Sequence, residues 1–249
     1  MIETQQIKVI KDKWLSEATQ MNCYNVPDQV LNNKSRLGNF IGPTLLTAKI
    51  NSNEKTKIHA LLNIGFEIWD TNLKFEVLGS SIRDKEDEKM NGNIQIDFIK
   101  EKSEAQQKQL EEIAKESLTF SRFNYDTNLP LGCGQKIKES WARAIYEGKR
   151  GDGLLLAKDD NQVVGFLGFI KNSNDIDCYQ IDLLAVKADQ QQKKIGTNLL
   201  RKFNNLLLND NSLGIAGTSI LNYPAINLYI SFGYKIKGSQ QILHYHTGN

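Results

Sequence analysis

The clearest change of hydrophobic period in the chain falls between residues 181 and 208. Residues 181–186, IDLLAV, form an apolar run that predicts a strand, and residues 187–194 form a polar turn. From Ile195 onward apolar side chains recur at helical spacing, which predicts a helix to about residue 208. The backbone N–H groups of the turn and the positive end of the helix dipole would meet at Ile195 and Gly196. This favours an anion site, although an ordinary strand-to-helix connection has the same signature.

Elsewhere the pattern predicts helices and strands on both sides of one polar stretch. Residues 80–93 are charged, poor in apolar side chains and end in Asn and Gly, so they predict a linker between two domains, residues 1–90 and 91–249. The second domain has predicted strands at 94–99, 153–158, 163–170, 214–219 and 234–244, and predicted helices at 103–117, 135–146 and 224–232. This order indicates an α/β (α+β) fold with a mixed sheet.

The pattern of residues 44–77 is repeated in residues 214–245. Both stretches predict a strand, a helix, a Gly-aromatic pair and a second strand. Aligning Gly65 with Gly233 puts Leu61 opposite Tyr229, so only the second copy has a phenol. A repeat would mean that one copy carries the chemistry. Coincidence stays open, because a Gly after a helix followed by an apolar strand is common.

Composition narrows the classes of function. The net charge is +2 with both signs interleaved, so no basic field indicates a nucleic-acid or membrane partner. The cysteines, Cys23, Cys133 and Cys178, are too few and too scattered for a disulfide framework or a zinc site, and no metal is expected. No apolar run approaches the roughly 20 residues of a spanning helix, and residues 1–15 are too charged for a signal peptide. We expect a soluble, cytoplasmic protein.

Three separated segments are typical of one family. They are LLAVKADQQQKKIG at residues 183–196, NYPAINLY at residues 222–229 and SFGYKI at residues 231–236. Together they resemble the GNAT superfamily of acetyl-CoA-dependent N-acetyltransferases. Its phosphate turn has the pattern Q/R-x-x-G-x-G/A, in which Gln191 and Gly196 match the Gln and the last Gly. Lys194 replaces the first Gly: its Cβ restricts positive φ and close backbone approach, whereas its charge and that of Lys193 would attract phosphate.

Resemblance to one branch covers most of the chain. The resemblance rests on several segments: SRF at residues 121–123, which follows a predicted helix, Trp141, GFLGF at residues 165–169, IDLLAV at residues 181–186, Gly65-Phe66 and Asp70-Thr71. These segments are similar to TDP-fucosamine (TDP-4-amino-4,6-dideoxygalactose) acetyltransferases of bacterial surface-polysaccharide synthesis. The resemblance implies a GNAT-type, mostly antiparallel mixed sheet flanked by helices. It also implies a smaller, partial-GNAT N-terminal domain.

The resemblance implies roles for particular residues. Acetyl-CoA would be the cosubstrate, held by Leu184, Ala185, Val186, Gln191, Gln192, Lys193, Lys194, Ile195, Gly196, Thr197 and Asn222. A backbone N–H of Leu184 or Ala185 would face the thioester oxygen, although an ordinary core strand has the same apolar alternation. Tyr229 would be the general acid beside the CoA sulfur. Because a phenol has a pKa of about 10 and an alkyl thiol about 8.5, proton transfer is uphill by about 2 kcal/mol. Tyr229 would therefore mainly hydrogen-bond the developing thiolate.

The resemblance also implies an acceptor site with Arg122, Phe123 and Asp70. Arg122 would pair with the pyrophosphate of a nucleotide, and Phe123 would pack on a sugar or base. The general base stays open between Asp70, Asp182, His244, His246 and a chain of water molecules. His244 and His246 lie on a terminal strand and tail, where we expect exposure to solvent.

The predicted reaction is direct acetyl transfer to the amine of a nucleotide-activated amino sugar, a small-molecule partner. The sequence leaves open whether the protein forms a homodimer. One rival is a GNAT enzyme that acts on a peptide N-terminus, an amino acid or an antibiotic. Another is a module that binds acetyl-CoA without turnover: Lys194 keeps this reading open, and Tyr229 argues against it.

Overall fold

A computed structural model describes residues 5–27, 35–83, 93–173 and 177–247. The first elements are β1 (Gln5–Gln6), β2 (Ile10–Lys11), α1 (Lys13–Thr19), β3 (Asn22–Val26), β4 (Ser35–Arg36), β5 (Thr44–Asn51), α2 (Lys55–Asn63) and β6 (Glu67–Leu78). They are followed by β7 (Ile94–Phe98), α3 (Glu104–Ser117), α4 (Arg122–Tyr125), α5 (Cys133–Glu147), β8 (Gly153–Asp159), β9 (Gln162–Ser173), β10 (Asp177–Val186), α6 (Ile195–Leu207), β11 (Leu213–Ser219), α7 (Tyr223–Ser231) and β12 (Lys235–Thr247). The elements predicted after residue 93 are therefore present, with bounds that differ by a few residues.

Backbone contacts divide the chain into two compact units. Unit 1 contains Met1–Leu73, Ser121–Ile137 and Gly238–Asn249, and unit 2 contains Lys74–Phe120 and Lys138–Lys237. The predicted boundary between residues 1–90 and 91–249 stays a prediction, because its linker includes residues 84–92, which lie outside the described residues.

Unit 2 contains a mixed sheet covered by amphipathic helices. Its strand order is β6-β11-β10-β9-β8-β7, in which β10 pairs antiparallel with β9 and parallel with β11. Helix α3 buries Leu110, Ile113 and Ala114, the i, i+3, i+4 spacing of one helix face, in a core with Phe166 and Leu183. The fold class is therefore confirmed as mixed α/β with a mostly antiparallel sheet. No helix in the described part of the chain is long and apolar enough to cross a bilayer.

Unit 1 contains the strand order β2-β3-β5-β12. Strand β3 runs parallel to β5, and β12 runs antiparallel to it. The apolar face of α2, with Ile58 and Leu61, packs on Leu46 and Leu243 of these strands. A second cluster in the same unit surrounds Phe123. The last strand and the segment after α3 are thereby packed with the N-terminal elements.

The two stretches predicted to be related have the same local structure. Each is a strand, a helix and a strand: β5-α2-β6 and β11-α7-β12. In the first helix end, Phe66 N–H donates to Leu61 O and Gly65 N–H to Leu62 O; in the second, Tyr234 N–H donates to Tyr229 O and Gly233 N–H to Ile230 O. This is the Schellman motif, in which Gly takes positive φ, here +98° at Gly65 and +91° at Gly233. The shared pattern and the alignment of Leu61 with Tyr229 are confirmed at this level.

Candidate active site

Strand β10 separates from β11 partway along its length. It pairs with β9 from Asp177 to Val186, with a bulge between Ile181 and Leu183, but with β11 only at residues 178–180. Within the described residues, the rest of β10 has no paired strand on its β11 side. Unpaired N–H and C=O groups at such an edge can pair with an extended ligand. Leu184, Ala185 and Val186 all lie in this separated part of β10.

The polar turn after β10 leads into α6 without a side-chain cap. Gln191 Nε2 donates to Val186 O at 3.3 Å, which ties the turn to the end of the strand. Helix α6 begins at Ile195, and no side chain caps its N-terminus in the described part of the chain. The first-turn N–H groups of Ile195, Gly196 and Thr197 have no acceptor inside the helix and point out of its positive end. The predicted anion site thus has the donors that it needs.

Lys194 adopts the backbone conformation that glycine favours. Its φ is 64° and its ψ is 9°, and Gln192 has a φ of 63°. A residue with a Cβ occupies this left-handed region at a cost of about 1–2 kcal/mol. The restriction expected from the Cβ of Lys194 therefore does not prevent the turn from forming, but it costs folding free energy.

The start of α6, the end of β10 and the middle of α7 lie against one another. A Cβ built on Gly196 would lie 3.6 Å from the side chain of Val186, 3.8 Å from that of Leu184 and 4.0 Å from that of Leu228. Leu228 precedes Tyr229 in α7. The candidate phosphate turn, the separated strand and the helix with the phenol therefore border one region of unit 2.

Tyr229 is buried, and its hydroxyl has no hydrogen-bond partner in the part of the chain that the structure describes. The side chain is 5% exposed, and its ring packs 5.4 Å from that of Phe75 and 5.7 Å from that of Tyr234. The Tyr234 hydroxyl donates to Asn204 Oδ1 at 2.9 Å, whereas no hydrogen bond joins the Tyr229 hydroxyl to any described residue. Burial raises the pKa of Tyr229 above its ordinary value. The phenol therefore stays protonated at neutral pH and retains a donor for a ligand.

Asn222 is the N-cap of α7, as its sequence position predicts. Its Oδ1 accepts from Ala225 N–H at 3.3 Å, and its Nδ2 donates to Thr218 Oγ1 at 2.9 Å. These two bonds fix the start of the helix that carries Tyr229. A contact between Asn222 and the cosubstrate stays a prediction.

The three predicted acceptor residues lie together in unit 1. The Arg122 guanidinium lies 4.2 Å from the centroid of the Phe123 ring, and the Arg122 Nε is buried without a hydrogen-bond partner within the described ranges. Burial lowers the pKa of Arg122 to about 10, and the charges of Asp70 and Asp12 oppose this effect. Arg122 is therefore a cation at neutral pH, partly desolvated and close to two carboxylates. Phe123 is buried and stacks on His244, with centroids 5.8 Å apart.

His244 is buried and His246 is half-buried, so the expected exposure of both residues was wrong. Strand β12 continues to Thr247 and pairs with β5 at both positions, which puts the rings inside unit 1. His244 Nδ1 lies 2.6 Å and His246 Nε2 lies 2.7 Å from Asp126 Oδ2. Burial lowers the pKa of His244 to about 4, against the opposing effect of its hydrogen bond to Asp126.

Asp126 is the residue of this cluster that sequence reasoning missed. Its side chain is fully buried, and Asp126 Oδ1 also accepts from Asn128 N–H at 3.0 Å. Burial opposes its ionisation, yet the hydrogen bonds from His244 and His246 hold its pKa below the ordinary value. Its position three residues after Phe123 was the one available signal. Nothing local links it to His244, 118 residues away.

Asp182, another candidate base, is engaged by a cation. Arg150 Nε and Nη2 donate to Asp182 Oδ2 and Oδ1 at 2.6 Å and 2.7 Å, and Trp141 Nε1 donates to Oδ2 at 2.9 Å. The carboxylate is 3% exposed. Both oxygens are occupied, so the carboxylate points towards α5 and is poorly placed to accept a substrate proton.

Residues 109–234 match the profile of the acetyltransferase (GNAT) family. The match covers about half of the chain and includes β10, the turn, α6 and Tyr229. The chain belongs to the GNAT family. GNAT enzymes are acyltransferases that use acetyl-CoA, so the predicted family and enzyme class are confirmed.

Similarity to individual proteins agrees with the GNAT assignment. The chain is 30% identical over 141 residues to the spore coat polysaccharide biosynthesis protein SpsD of Bacillus subtilis (strain 168), a match that covers 55% of this chain and 46% of SpsD. The chain thus spans less than half of that relative. A conserved protein of unknown function from Staphylococcus epidermidis ATCC 12228 superposes with a TM-score of 0.56 and 16% sequence identity, and the match covers 80% of this chain and 71% of that protein. A GCN5-related N-acetyltransferase from Sphaerobacter thermophilus superposes with a TM-score of 0.55 and 12% sequence identity, and the match covers 82% of this chain and 60% of that protein.

The residues of this GNAT chain fit acetyl-CoA. The unpaired edge of β10 offers backbone groups to an amide-bearing pantetheine arm, and the uncapped start of α6 offers donors to a pyrophosphate. The lone hydroxyl of Tyr229 offers a donor to a sulfur. Bound acetyl-CoA would supply an activated acetyl group as a thioester. The particular contacts assigned to Gln191, Gln192, Lys193 and Thr197 stay predictions.

Proposed function

We propose that this chain transfers acetyl from acetyl-CoA to the amine of a nucleotide-activated amino sugar of the TDP-4-amino-4,6-dideoxyhexose type. The buried Tyr229 phenol carries the proposal of direct transfer, because it has no hydrogen-bond partner among the described residues and its helix lies against the separated end of β10. The acceptor class rests on the similarity to SpsD, which is named for polysaccharide biosynthesis, and on the Arg122 and Phe123 pair. Both supports are independent of each other.

The thioester oxygen and the departing sulfur each have a candidate group in unit 2, and the proton of the attacking amine passes to water. A backbone N–H of Leu184 or Ala185 on the unpaired edge of β10 stabilises negative charge on the thioester oxygen as the amine attacks. Tyr229 donates a hydrogen bond to the departing sulfur. Because burial raises the pKa of Tyr229, the phenol is a weaker acid than an ordinary one, and complete proton transfer to the thiolate is even less favourable. Tyr229 therefore acts as a hydrogen-bond donor in the transition state.

Recognition of the acceptor falls to unit 1 in this proposal. Arg122 is cationic and partly desolvated, and no described residue accepts a hydrogen bond from its Nε, so a diphosphate would satisfy a buried donor. Asp70 raises the pKa of Arg122 and so keeps it charged. The preference for a nucleotide-linked sugar over a free amine would come from this guanidinium.

The test measures release of CoA thiol with four acceptors: the TDP-amino sugar, the bare amino sugar, an amino acid and a peptide. We expect the TDP-amino sugar to have the highest kcat/KM. For Tyr229→Phe we expect kcat to fall about 100-fold with little change in the KM for acetyl-CoA, because the donor acts mainly on the leaving group. Tyr223→Phe, an exposed phenol at the start of the same helix, is the matched control.

Three outcomes would overturn parts of the proposal. Equal loss of kcat and of acetyl-CoA affinity in Tyr229→Phe would make Tyr229 a binding residue instead of a group that acts on the sulfur. Binding of acetyl-CoA without thiol release for any acceptor would make the chain a binding module. Preference for the peptide would assign it to a different acceptor class.

A further inference from the structure

The cluster of Asp126, His244 and His246 has no part in the acetyl transfer proposed above. Its three side chains come from the segment after α4 and from β12, and their ligand-type atoms all lie within 4.8 Å of one another. The side chains of Asp126 and His244 are fully buried, and that of His246 is 9% exposed. We propose that these three residues form a binding site for a divalent transition metal such as Zn²⁺.

The ligand set supports this proposal. Two imidazole nitrogens and one carboxylate oxygen are ligands that Zn²⁺ accepts, with a further position open to water. His244 and His246 are two residues apart on one strand, so their side chains project from the same face of the sheet. Asp126 meets both rings with a single oxygen, Oδ2. The three ligands therefore converge on one point instead of lining a surface.

The proton positions on the two rings allow both to bind a metal. His244 Nδ1 and His246 Nε2 face Asp126 Oδ2, and these are the nitrogens that would hold the ion. A neutral imidazole carries one proton and one lone pair, so a metal can take the lone pair of the facing nitrogen while the proton moves to the other nitrogen. That proton would then lie on His244 Nε2 or His246 Nδ1, which are buried and have no hydrogen-bond partner among the described residues. The ring stays neutral, and no proton is released.

The spacing needs only a small adjustment. The present N···O distances of 2.6 Å and 2.7 Å are those of hydrogen bonds. Around a tetrahedral ion with metal–ligand distances of about 2.1 Å, neighbouring ligand atoms are about 3.4 Å apart. Each contact would therefore lengthen by less than about 1 Å, which side-chain rotation can supply.

The charges that act on the cluster are those of Asp126 and Arg122. Asp126 supplies one carboxylate to the site, and Arg122 is the cation that acts electrostatically on His244. A bound ion would join the end of α4, which carries Arg122 and Phe123, to β12 within unit 1.

The experiment uses the full chain, with any affinity tag removed, after treatment with a chelator. Titration with Zn²⁺ alone by calorimetry, and with Co²⁺ by visible absorption, should show one site per chain and a tetrahedral Co²⁺ spectrum. His246→Gln and Asp126→Asn should weaken binding by at least about tenfold. His59→Gln is the matched control, because His59 is exposed on α2 and is the third histidine of the chain. It should bind like the wild type.

A second measurement keeps the test independent of folding defects. Circular dichroism and thermal melting without metal identify any variant that is unfolded. In folded variants, Zn²⁺ should raise the melting temperature of the wild type and of His59→Gln, but not that of His246→Gln. Equal metal affinity in His246→Gln and the wild type, or no binding by the wild type, would overturn the proposal. Neither result bears on acetyl transfer, whose assay needs no metal titration.

Discussion

Replacement of Lys194 separates two effects of this residue that oppose each other. The left-handed backbone at φ 64° costs about 1–2 kcal/mol for a residue with a Cβ, and glycine removes that cost. Glycine also adds about 0.4–1 kcal/mol of conformational freedom to the unfolded chain. The net expectation for Lys194→Gly is a gain of roughly 0.5–1 kcal/mol in the free energy of unfolding, or about 2 °C in melting temperature for a chain of this length.

Affinity for acetyl-CoA should depend on the charge of Lys194 and not on the strain of its left-handed backbone. The strained turn is already formed in the protein without ligand, so its cost is common to the free and bound states and cancels in Kd. Lys194 is exposed, and an exposed ion pair contributes about 0.2–1 kcal/mol, a factor of up to about five in Kd. Lys194→Gln and Lys194→Gly should therefore both weaken acetyl-CoA binding by about two- to fivefold. The difference from the wild type should shrink at high salt.

The assay combines thermal melting with calorimetric titration of acetyl-CoA for four proteins. Lys194→Gln keeps the Cβ and removes the charge, whereas Lys194→Gly removes both. Gln192→Gly, at φ 63°, relieves the same strain in the same turn without changing the charge, so it should gain stability without the salt-dependent loss of affinity expected for the Lys194 variants. If Lys194→Gly binds acetyl-CoA more tightly than the wild type, the Cβ obstructs the ligand and the reasoning is refuted. If the Lys194→Gly protein is less stable than the Lys194→Gln protein, the left-handed backbone at residue 194 does not cost folding free energy.

Three further predictions test the fold and the site. Asp182→Asn and Arg150→Gln should each lower the free energy of unfolding by about 1–2 kcal/mol, because each removes the pair of hydrogen bonds between the two side chains. Neither change should shift the pH dependence of kcat. A shifted pH profile in a folded Asp182→Asn protein would restore Asp182 as the general base. Gly233→Ala should lower the free energy of unfolding in urea by more than about 2 kcal/mol, because its Cβ would lie 2.6 Å from Ser81 O at φ +91°. Gly65→Ala should lower it less, because its Cβ would meet the ring of Tyr245, with the nearest atom at 3.1 Å. Arg122→Ala should lose more activity with the TDP-amino sugar than with the bare amino sugar in steady-state assays; identical losses with both would contradict its pairing with a diphosphate.

Much of unit 2 could be predicted from local sequence. The apolar run of β10, the polar turn and the helical spacing from Ile195 specify these elements because each depends on neighbours within a few residues. The capping role of Asn222 and the glycine ends at Gly65 and Gly233 are local in the same way. These features also carried the resemblance to the GNAT family, which the profile match confirmed.

The N-terminal elements were less predictable. Short strands such as β1, β2 and β4 contain two residues each, too few to show a period of alternation. The four-residue helix α4 is similarly too short for a helical pattern. These elements exist because of their packing partners, which periodicity cannot identify.

The sequence by itself determined which elements form, where the candidate phosphate turn lies and which family the chain belongs to. Only the tertiary structure decided that β10 parts from β11, that Asp182 is held by Arg150, and that Asp126 joins His244 and His246 inside unit 1. The physical reason is the sequence separation over which each interaction acts. Caps, turns and hydrophobic period act over a few residues, whereas burial and the pairing of polar groups depend on residues such as Asp126 and His244 that are 118 positions apart and meet only when the chain has folded.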